Sequence, residues 1–167
     1  VSEGKFRPGH FQGVCMVMQR LLEIVLPEHL YLGQKDYQQC MVIKKLIEII
    51  GLKNKVEAVI CPTLREPNGL AMSSRNMRLT KQEKEQAAAI YNSLLMIKEN
   101  FLKEPAAVLK EKAQTMLKQS GLKPDYVEIA DAENLSPLPQ QNNHKKNVAL
   151  IAAYMNEVRL IDNMIIN

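Results

Sequence analysis

Hydrophobic side chains recur every three or four positions in two stretches of the amino-terminal part, and a short apolar run follows each stretch. The periodic stretches predict two helices, which end before Pro27 and at Gly51. The short runs LYLG and VEAVICP predict two strands, and we expect the second to be mostly buried. This alternation of helices and strands predicts a parallel α/β sheet. The apolar positions of the first helix are Phe11, Val14, Cys15, Met18, Leu21, Leu22 and Val25.

The pattern changes after residue 62. Residues 63–79 show no periodicity and contain the turn-forming run Pro67-Asn68-Gly69, so they predict a loop. TKQE, beginning at Thr80, is the pattern of a capping box at the start of a helix. This helix would bury Ile90, Leu94, Ile97 and Phe101.

A second helix in this part would begin with Pro105 in its first turn. It would bury Leu109, Ala113, Met116 and Leu117. DYVEIAD, NVALIAAY and EVRLIDN predict three mainly antiparallel strands, with the second in the centre and a hairpin at Met155-Asn156. We therefore predict a domain at 1–77 with parallel α/β order and a small α+β domain at 78–167. We expect the second to move as a unit about a hinge between Asn76 and Thr80.

Composition narrows the class of protein. The chain has 167 residues, 46% hydrophobic and 24% charged, with no run of 18 apolar residues, so it predicts no membrane span. A net charge of +4 with eight aromatic residues suits an anionic small molecule better than nucleic acid. Because Val1 is not a methionine and no secretory leader follows it, we expect a piece of a longer protein.

Cysteines and histidines give no sign of a metal site. The three cysteines, Cys15, Cys40 and Cys61, lie in apolar segments and predict buried, reduced thiols in a cytoplasmic protein. The three histidines are far apart in sequence, and none stands at ligand spacing from a cysteine or carboxylate. We therefore predict no protein-built metal site.

Polar loops leave both predicted parallel strands, at the end of a sheet where α/β proteins bind ligands. In GQKDYQQ, Gly33 permits close approach to the backbone, and Lys35 offers a point charge for a phosphate. Asp36 could bind ribose hydroxyls or simply cap the next helix. Gln38 and Gln39 add amide donors and acceptors on its first turn.

The second loop contains MSSRN. Ser73 and Ser74 supply hydroxyls, and Arg75 supplies a guanidinium that can hold phosphate oxygens in bidentate fashion. Each feature alone also fits a solvated surface. Their joint position after two consecutive strands favours a nucleotide or phosphate site, without excluding an ordinary polar surface.

Long segments of the chain resemble the pantothenate synthetase family. They are RPGHFQGV, YLGQKDYQQ, PTLREPNGLAMSSRNMRLT and the late RLIDN. MSSR is also similar to the phosphate-binding loop of the wider nucleotidyltransferase group. The resemblance implies the carboxyl-terminal part of a Rossmann-like nucleotidyltransferase domain followed by a small α+β lid domain. It implies a cytoplasmic, homodimeric ligase that joins pantoate to β-alanine at the expense of ATP, with no nucleic-acid or membrane partner.

The resemblance also implies roles for particular residues. Those that would contact ATP are Gly33, Gln34, Lys35, Asp36, Leu64, Met72, Ser73, Ser74 and Arg75, with Leu64 beside the adenine. Lys35, Ser73, Ser74 and Arg75 would be the catalytic groups, because they would stabilise charge at the phosphates. Gln39 would hold pantoate. Gln34 departs from the family pattern, which often has Glu there.

The amino-terminal signature of the family is absent from these 167 residues. The family carries a His-x-Gly-His-type motif, a second pantoate-binding glutamine and an acidic residue linked to Mg²⁺, and His10 does not replace them. We therefore expect the Mg²⁺ that accompanies ATP to depend on an acidic residue outside this chain, and the chain alone to be inactive.

Two other classes of function stay open at this stage. The chain could be a dimerisation or binding module that keeps the fold without the chemistry, although the intact KDYQQ and MSSRN segments argue against that. It could also be an RNA-binding module, given its basic balance and the segment NHKKN. In that case its RNA affinity would fall steeply with salt.

Overall fold

A computed structural model describes residues 9–138 and 145–167. Most of the predicted surface loop PQQNNHKKN, including His144, lies outside the described residues. Contacts between Cα atoms divide the chain into two compact units, Val1–Pro62 and Thr63–Asn167. The second unit therefore begins with the segment 63–77, which we had predicted to belong to the first domain. The predicted hinge and the predicted lid movement stay predictions.

The first unit has the predicted order of helices and strands. Its elements are α1 (His10–Val25), β1 (His29–Gly33), a 3₁₀ turn (Gln34–Asp36), α2 (Tyr37–Ile49) and β2 (Glu57–Cys61). The two strands pair in parallel, from His29 opposite Glu57 to Gly33 opposite Cys61. Their carboxyl ends therefore lie side by side at one edge of the sheet, as predicted.

The core of the first unit is smaller than the sequence pattern suggested. Leu22, Ile43, Ile47 and Val56 are buried together, and Val14 and Met18 pack against them. Leu21 and Val25, predicted as part of the same stripe, are exposed.

The burial predicted for β2 and for two of the cysteines was wrong. Residues 58–61 of β2 are only half-buried, since the described part of this sheet has two strands. All three cysteines are free thiols, but only Cys40 is buried, while Cys15 and Cys61 are half-buried.

In its described residues, the second unit contains three α-helices and an antiparallel sheet. Its elements are α3 (Lys81–Ala87), α4 (Ala89–Asn100), α5 (Ala106–Gln119), β3 (Lys123–Asp131), β4 (Asn147–Met155) and β5 (Val158–Ile165). The strand order β3-β4-β5 puts NVALIAAY in the centre, as predicted. The predicted first helix is two segments, α3 and α4.

Three details of the second unit correct the prediction. Pro105 is the residue before α5 rather than part of its first turn. Met116 is only partly buried, whereas Leu109, Ala113 and Leu117 are fully buried. The hairpin turn between β4 and β5 is Asn156-Glu157, one residue later than predicted.

One core joins helices and sheet in the second unit. Ile90, Leu94, Ile97 and Phe101 of the α4 region are buried, as predicted, with Leu109 of α5 and Ile151 of β4. Complete burial of one side chain of this size stabilises the folded state by about 1.5–3 kcal/mol. This core provides a fixed base for the loop that precedes α3.

The predicted capping box at the start of α3 is confirmed. The Glu83 backbone N–H donates to Thr80 Oγ1 at 3.2 Å, and the Thr80 backbone N–H donates to Glu83 Oε2 at 2.7 Å. The second bond is the main reason why the pKa of Glu83 lies below its usual value. Stabilisation by this carboxylate is therefore present above its unfolded pKa and is lost as pH falls through its lower folded pKa.

We expect Thr80→Ala to lower the free energy of unfolding by about 1 kcal/mol, because the capping bond from its side chain is lost. Urea unfolding at neutral pH measures the change. Thr115→Ala is the matched control, since the Thr115 hydroxyl only donates to the Glu111 carbonyl oxygen within a helix. An equal loss of stability in the two variants would contradict the assigned role of the cap.

Candidate active site

The first polar loop forms a 3₁₀ turn at the carboxyl end of β1. Gly33 is the last residue of the strand, and Gln34–Asp36 make the turn that leads into α2. Gly33 and Asp36 are exposed, while Gln34 and Lys35 are half-buried. A Cβ atom added at Gly33 would meet nothing within 4 Å, so the neighbouring protein atoms do not require glycine there. The structure thus brings Gly33, Gln34, Lys35 and Asp36 together at the edge of the sheet.

The buried thiol of Cys40 forms a hydrogen bond to the residue that precedes this turn. The Cys40 Sγ–H donates to the Gly33 carbonyl oxygen at 3.3 Å. Burial raises the pKa of Cys40 to about 11, and the charge of Asp36 adds to the effect. The thiol therefore keeps its proton at neutral pH and acts as a structural donor rather than a nucleophile.

The start of α2 bears on the two possible roles of Asp36, which are helix capping and ligand binding. Asp36 is the residue before the helix, but its side chain makes no capping hydrogen bond within the described chain. Gln38 is 6% exposed and therefore buried, whereas Gln39 is half-buried. Asp36 and Gln39 are the polar groups of this turn that a ligand could reach.

The second polar loop is more ordered than the sequence predicted. The Met72 backbone N–H donates to the Leu64 carbonyl oxygen at 2.9 Å, and the Glu66 carbonyl accepts from Gly69 at 2.8 Å. Arg65 and Ala71 form a bridge between these two bonds. Residues 64–72 are therefore a short hairpin, which we call the 64–72 hairpin, with the predicted Pro67-Asn68-Gly69 turn at its tip. The absence of periodicity had suggested only an irregular loop.

The hairpin leads directly into the segment with the predicted phosphate-binding groups, Ser73–Arg75. Ser73 Oγ accepts from the Arg75 backbone N–H at 3.2 Å and begins a second 3₁₀ turn, Ser74–Arg78. Ser74 and Arg75 are exposed, and Ser73 is half-buried. Leu64 and Met72 are adjacent across the hairpin and are 75% and 54% exposed. Two exposed apolar residues thus lie across the hairpin that directly precedes the hydroxyl and guanidinium residues.

Asn76 anchors this segment and was missed as an important residue. It is 3% exposed, and its Nδ2 donates to Glu66 Oε1 at 2.9 Å and to the Ala71 carbonyl oxygen at 3.1 Å. The buried amide ties the turn after Ser73–Arg75 back to the hairpin before it. Only its place at the end of MSSRN could have suggested this role.

The two sets of predicted site residues lie in different compact units. Gly33, Gln34, Lys35, Asp36 and Gln39 belong to the first, while Leu64, Met72, Ser73, Ser74 and Arg75 belong to the second. Within residues 9–138 and 145–167, no group of three or more His, Cys, Asp or Glu side chains could hold a metal ion. None of the helices in these ranges is long and apolar enough to cross a membrane.

Comparison with known proteins identifies a family for the whole chain. The family model described as pantoate-beta-alanine ligase matches residues 1–165. The pantothenate synthetase of Flavobacterium psychrophilum is 45% identical over 165 residues, which are 97% of this chain and 57% of that protein. The pantothenate synthetase of Thermotoga neapolitana is 43% identical, over 98% of this chain and 58% of that protein. The chain therefore spans somewhat more than half the length of these relatives.

Solved structures give the same result for the fold. Pantothenate synthetase from Thermus thermophilus superposes with a TM-score of 0.88 at 36% identity, over 98% of this chain and 59% of that one. Pantoate-beta-alanine ligase from Francisella tularensis, complexed with beta-gamma ATP and beta-alanine, gives a TM-score of 0.70 at 36% identity. It is matched over 99% of this chain and 54% of its own. The predicted fold class is confirmed.

Proposed function

The chain belongs to the pantoate-beta-alanine ligase family, and from this premise we propose that it supplies the carboxyl-terminal part of an ATP-dependent ligase that makes pantothenate. In the first step, the pantoate carboxylate attacks the α-phosphorus of ATP, so that pantoyl adenylate forms and pyrophosphate leaves. In the second step, the amine of β-alanine attacks the acyl carbon of the adenylate. Pantothenate forms, and AMP leaves with the electron pair of the broken acyl–oxygen bond.

Basic and hydroxyl groups of this chain act on the phosphates in the first step. Lys35 and Arg75 balance negative charge that moves onto the leaving pyrophosphate, and Ser73 and Ser74 donate to phosphate oxygens. Donors fixed in position before the reaction stabilise a transition state without the cost of reorganising solvent. Leu64 and Met72 offer apolar surface for the adenine, and Gln39 donates to pantoate.

The observation that carries this proposal is that the accessible Ser73–Arg75 segment is held in place by a buried neighbour. Its serine and arginine groups are accessible, whereas the next residue, Asn76, is buried and hydrogen-bonded to the preceding hairpin. A solvated surface loop needs no such anchor, but a phosphate site does, because its donors must hold one geometry. The Francisella tularensis relative was solved in complex with beta-gamma ATP and beta-alanine, which supports the same substrates.

We propose that the complete site also includes residues outside this chain. We expect Mg²⁺ bound with ATP to take its ligands from phosphate oxygens, water and an acidic residue of the amino-terminal part of the complete ligase. We expect the complete ligase to be a cytoplasmic homodimer that binds small molecules and has no nucleic-acid or membrane partner.

We expect the 167-residue chain alone to form no pantothenate from ATP, pantoate and β-alanine, because its sequence lacks the His-x-Gly-His motif. A chimera tests the function itself: this chain replaces the matching 165 residues of the Flavobacterium psychrophilum relative. We expect the chimera to make pantothenate and to catalyse pantoate-dependent exchange of pyrophosphate into ATP. Pantothenate is measured by mass spectrometry, and exchange is measured as the transfer of radiolabel from pyrophosphate into ATP.

Two results would overturn these expectations. Pantothenate made above background by the chain alone would refute its inactivity. A chimera that melts cooperatively like its parent but catalyses neither reaction would refute the proposed function. The matched control is the same chimera with Lys98→Ala, an exposed change on α4 that should leave both activities intact.

A further inference from the structure

One buried ion pair of the second unit has no part in the chemistry described above. Arg65 Nη1 lies 2.5 Å from Asp162 Oδ2, and Arg65 Nη2 lies 3.1 Å from Asp162 Oδ1. The Asp162 side chain is 2% exposed and the Arg65 side chain 21%. The pair thus has the bidentate geometry that only a guanidinium provides.

The same guanidinium makes two more contacts, both with the region around the hairpin. Arg65 Nη1 donates to the Gly69 carbonyl oxygen at 3.0 Å, across the tip of the 64–72 hairpin. Its central carbon lies 4.4 Å from the centre of the Tyr91 ring on α4. Arg65 is therefore fixed by β5, by α4 and by the hairpin itself.

These contacts continue to the proposed phosphate-binding residues. Arg65 is bridged to Ala71, and the Ala71 carbonyl oxygen accepts from Asn76, the residue directly after Arg75. A connected path thus runs from β5 through Asp162, Arg65 and Ala71 to Asn76, the residue that directly follows Ser73–Arg75. Each step of the path is a hydrogen bond or backbone bridge within the second unit.

We propose that Arg65 and Asp162 are a positioning pair that holds Ser73–Arg75 in the geometry required for phosphate binding. The inference rests on the proposed function. A buried ion pair is weak evidence for net stability, because desolvation offsets its attraction, but it does fix geometry. Catalysis is sensitive to such geometry, since a misplacement of about 1 Å can cost roughly a hundredfold in rate.

The chain contains a matched control for this pair. Arg159 Nε and Nη2 lie 3.0 and 2.8 Å from Asp125 Oδ2, and the Arg159 side chain is 20% exposed. Arg159 also lies over a tyrosine, with its central carbon 5.9 Å from the centre of the Tyr126 ring. This second pair joins β5 to β3, so its loss disturbs the sheet rather than the path to Ser73–Arg75.

The test compares Arg65→Lys with Arg159→Lys, with Asp162→Asn as a second way to break the first pair. Lysine keeps the charge and loses the bidentate contact, so both lysine variants should stay folded. In the 167-residue chain, we expect amide hydrogen exchange at residues 72–76 to be about tenfold faster in Arg65→Lys and Asp162→Asn. Exchange in β4 should not change in any variant, and exchange at 72–76 should not change in Arg159→Lys.

The chimera supplies a second, kinetic measurement. We expect Arg65→Lys to lower pyrophosphate exchange roughly tenfold to hundredfold through misplacement of the phosphate donors, with its KM for pantoate unchanged. Arg159→Lys should exchange pyrophosphate like the parent chimera. Unchanged amide exchange at 72–76 in both Arg65→Lys and Asp162→Asn would overturn the positioning role. So would equal kinetic losses in Arg65→Lys and Arg159→Lys. Inactivity of the parent chimera would instead count against the proposed function.

Discussion

Lys35→Ala in the chimera is expected to lower pantoate-dependent pyrophosphate exchange roughly tenfold to hundredfold while its melting temperature stays close to that of the parent. A hydrogen bond to a charged group contributes about 1.5–3 kcal/mol, and each 1.36 kcal/mol or so in the barrier is a factor of ten in rate. Lys35 lies in the 3₁₀ turn after β1 and is half-buried outside the apolar core, so its truncation leaves no cavity there.

Arg75 provides the companion test of the same idea. Arg75→Ala should cause a loss of similar size, and Arg75→Lys should restore only part of it, because a point charge cannot replace a bidentate guanidinium. Lys98→Ala, on the exposed side of α4, is the matched control. If Lys35→Ala exchanges pyrophosphate at the parental rate, or loses activity only because it melts, then Lys35 does not have the proposed role.

Gly69→Ala is expected to lower the free energy of unfolding of the second unit by about 2–5 kcal/mol, as the sum of backbone strain and overpacking. Gly69 has a φ of +90°, a conformation that an L-residue adopts only with strain. An added Cβ would also overlap the Tyr91 ring, which is the ring that Arg65 contacts. Urea unfolding monitored by circular dichroism measures the loss.

Two comparisons separate the strain from the overlap. Gly121 has a φ of +80° in the same unit, and a Cβ added there would meet its nearest atom at 3.8 Å, an ordinary contact. Gly121→Ala should therefore cost only the strain, about 1–2 kcal/mol. In a Tyr91→Ala background, Gly69→Ala should cost no more than Gly121→Ala. Equal costs of Gly69→Ala and Gly121→Ala in the otherwise unchanged chain would show that Tyr91 does not restrict the hairpin tip.

The parts of the fold with local signatures were predictable from the sequence. Thr80 and Glu83 stand three residues apart in the order that a capping box requires, and the continuous apolar run at 148–154 is typical of a central strand. The burial of α1 was less predictable. Leu21 and Leu22 are neighbours about 100° apart on the helix, so periodicity alone could not tell which of them faces the core. The structure buries Leu22 and leaves Leu21 48% exposed.

The candidate site was predictable as a set of residues but not as a structure. Lys35, Ser73 and Arg75 have side chains whose chemistry suggests phosphate binding wherever they occur together after strands. Nothing beside Arg65 in the sequence indicates its partner, because Asp162 is 97 positions away. Asn76 likewise reads as an ordinary loop residue until the fold buries it. The roles of Arg65 and Asn76 depend on tertiary contacts, which cannot be inferred from a single sequence.

The separation of 97 positions between Arg65 and Asp162 also sets an order of events during biosynthesis. A ribosome releases Ser73–Arg75 long before it releases β5, and a contact between distant residues forms only after the loop between them has closed. The ion pair that anchors the 64–72 hairpin can therefore form only after β5 has left the ribosome. A polypeptide still lacking β5 carries Ser73–Arg75 without this support. Under the proposed function, its phosphate donors take up their working geometry only when β5 joins the sheet.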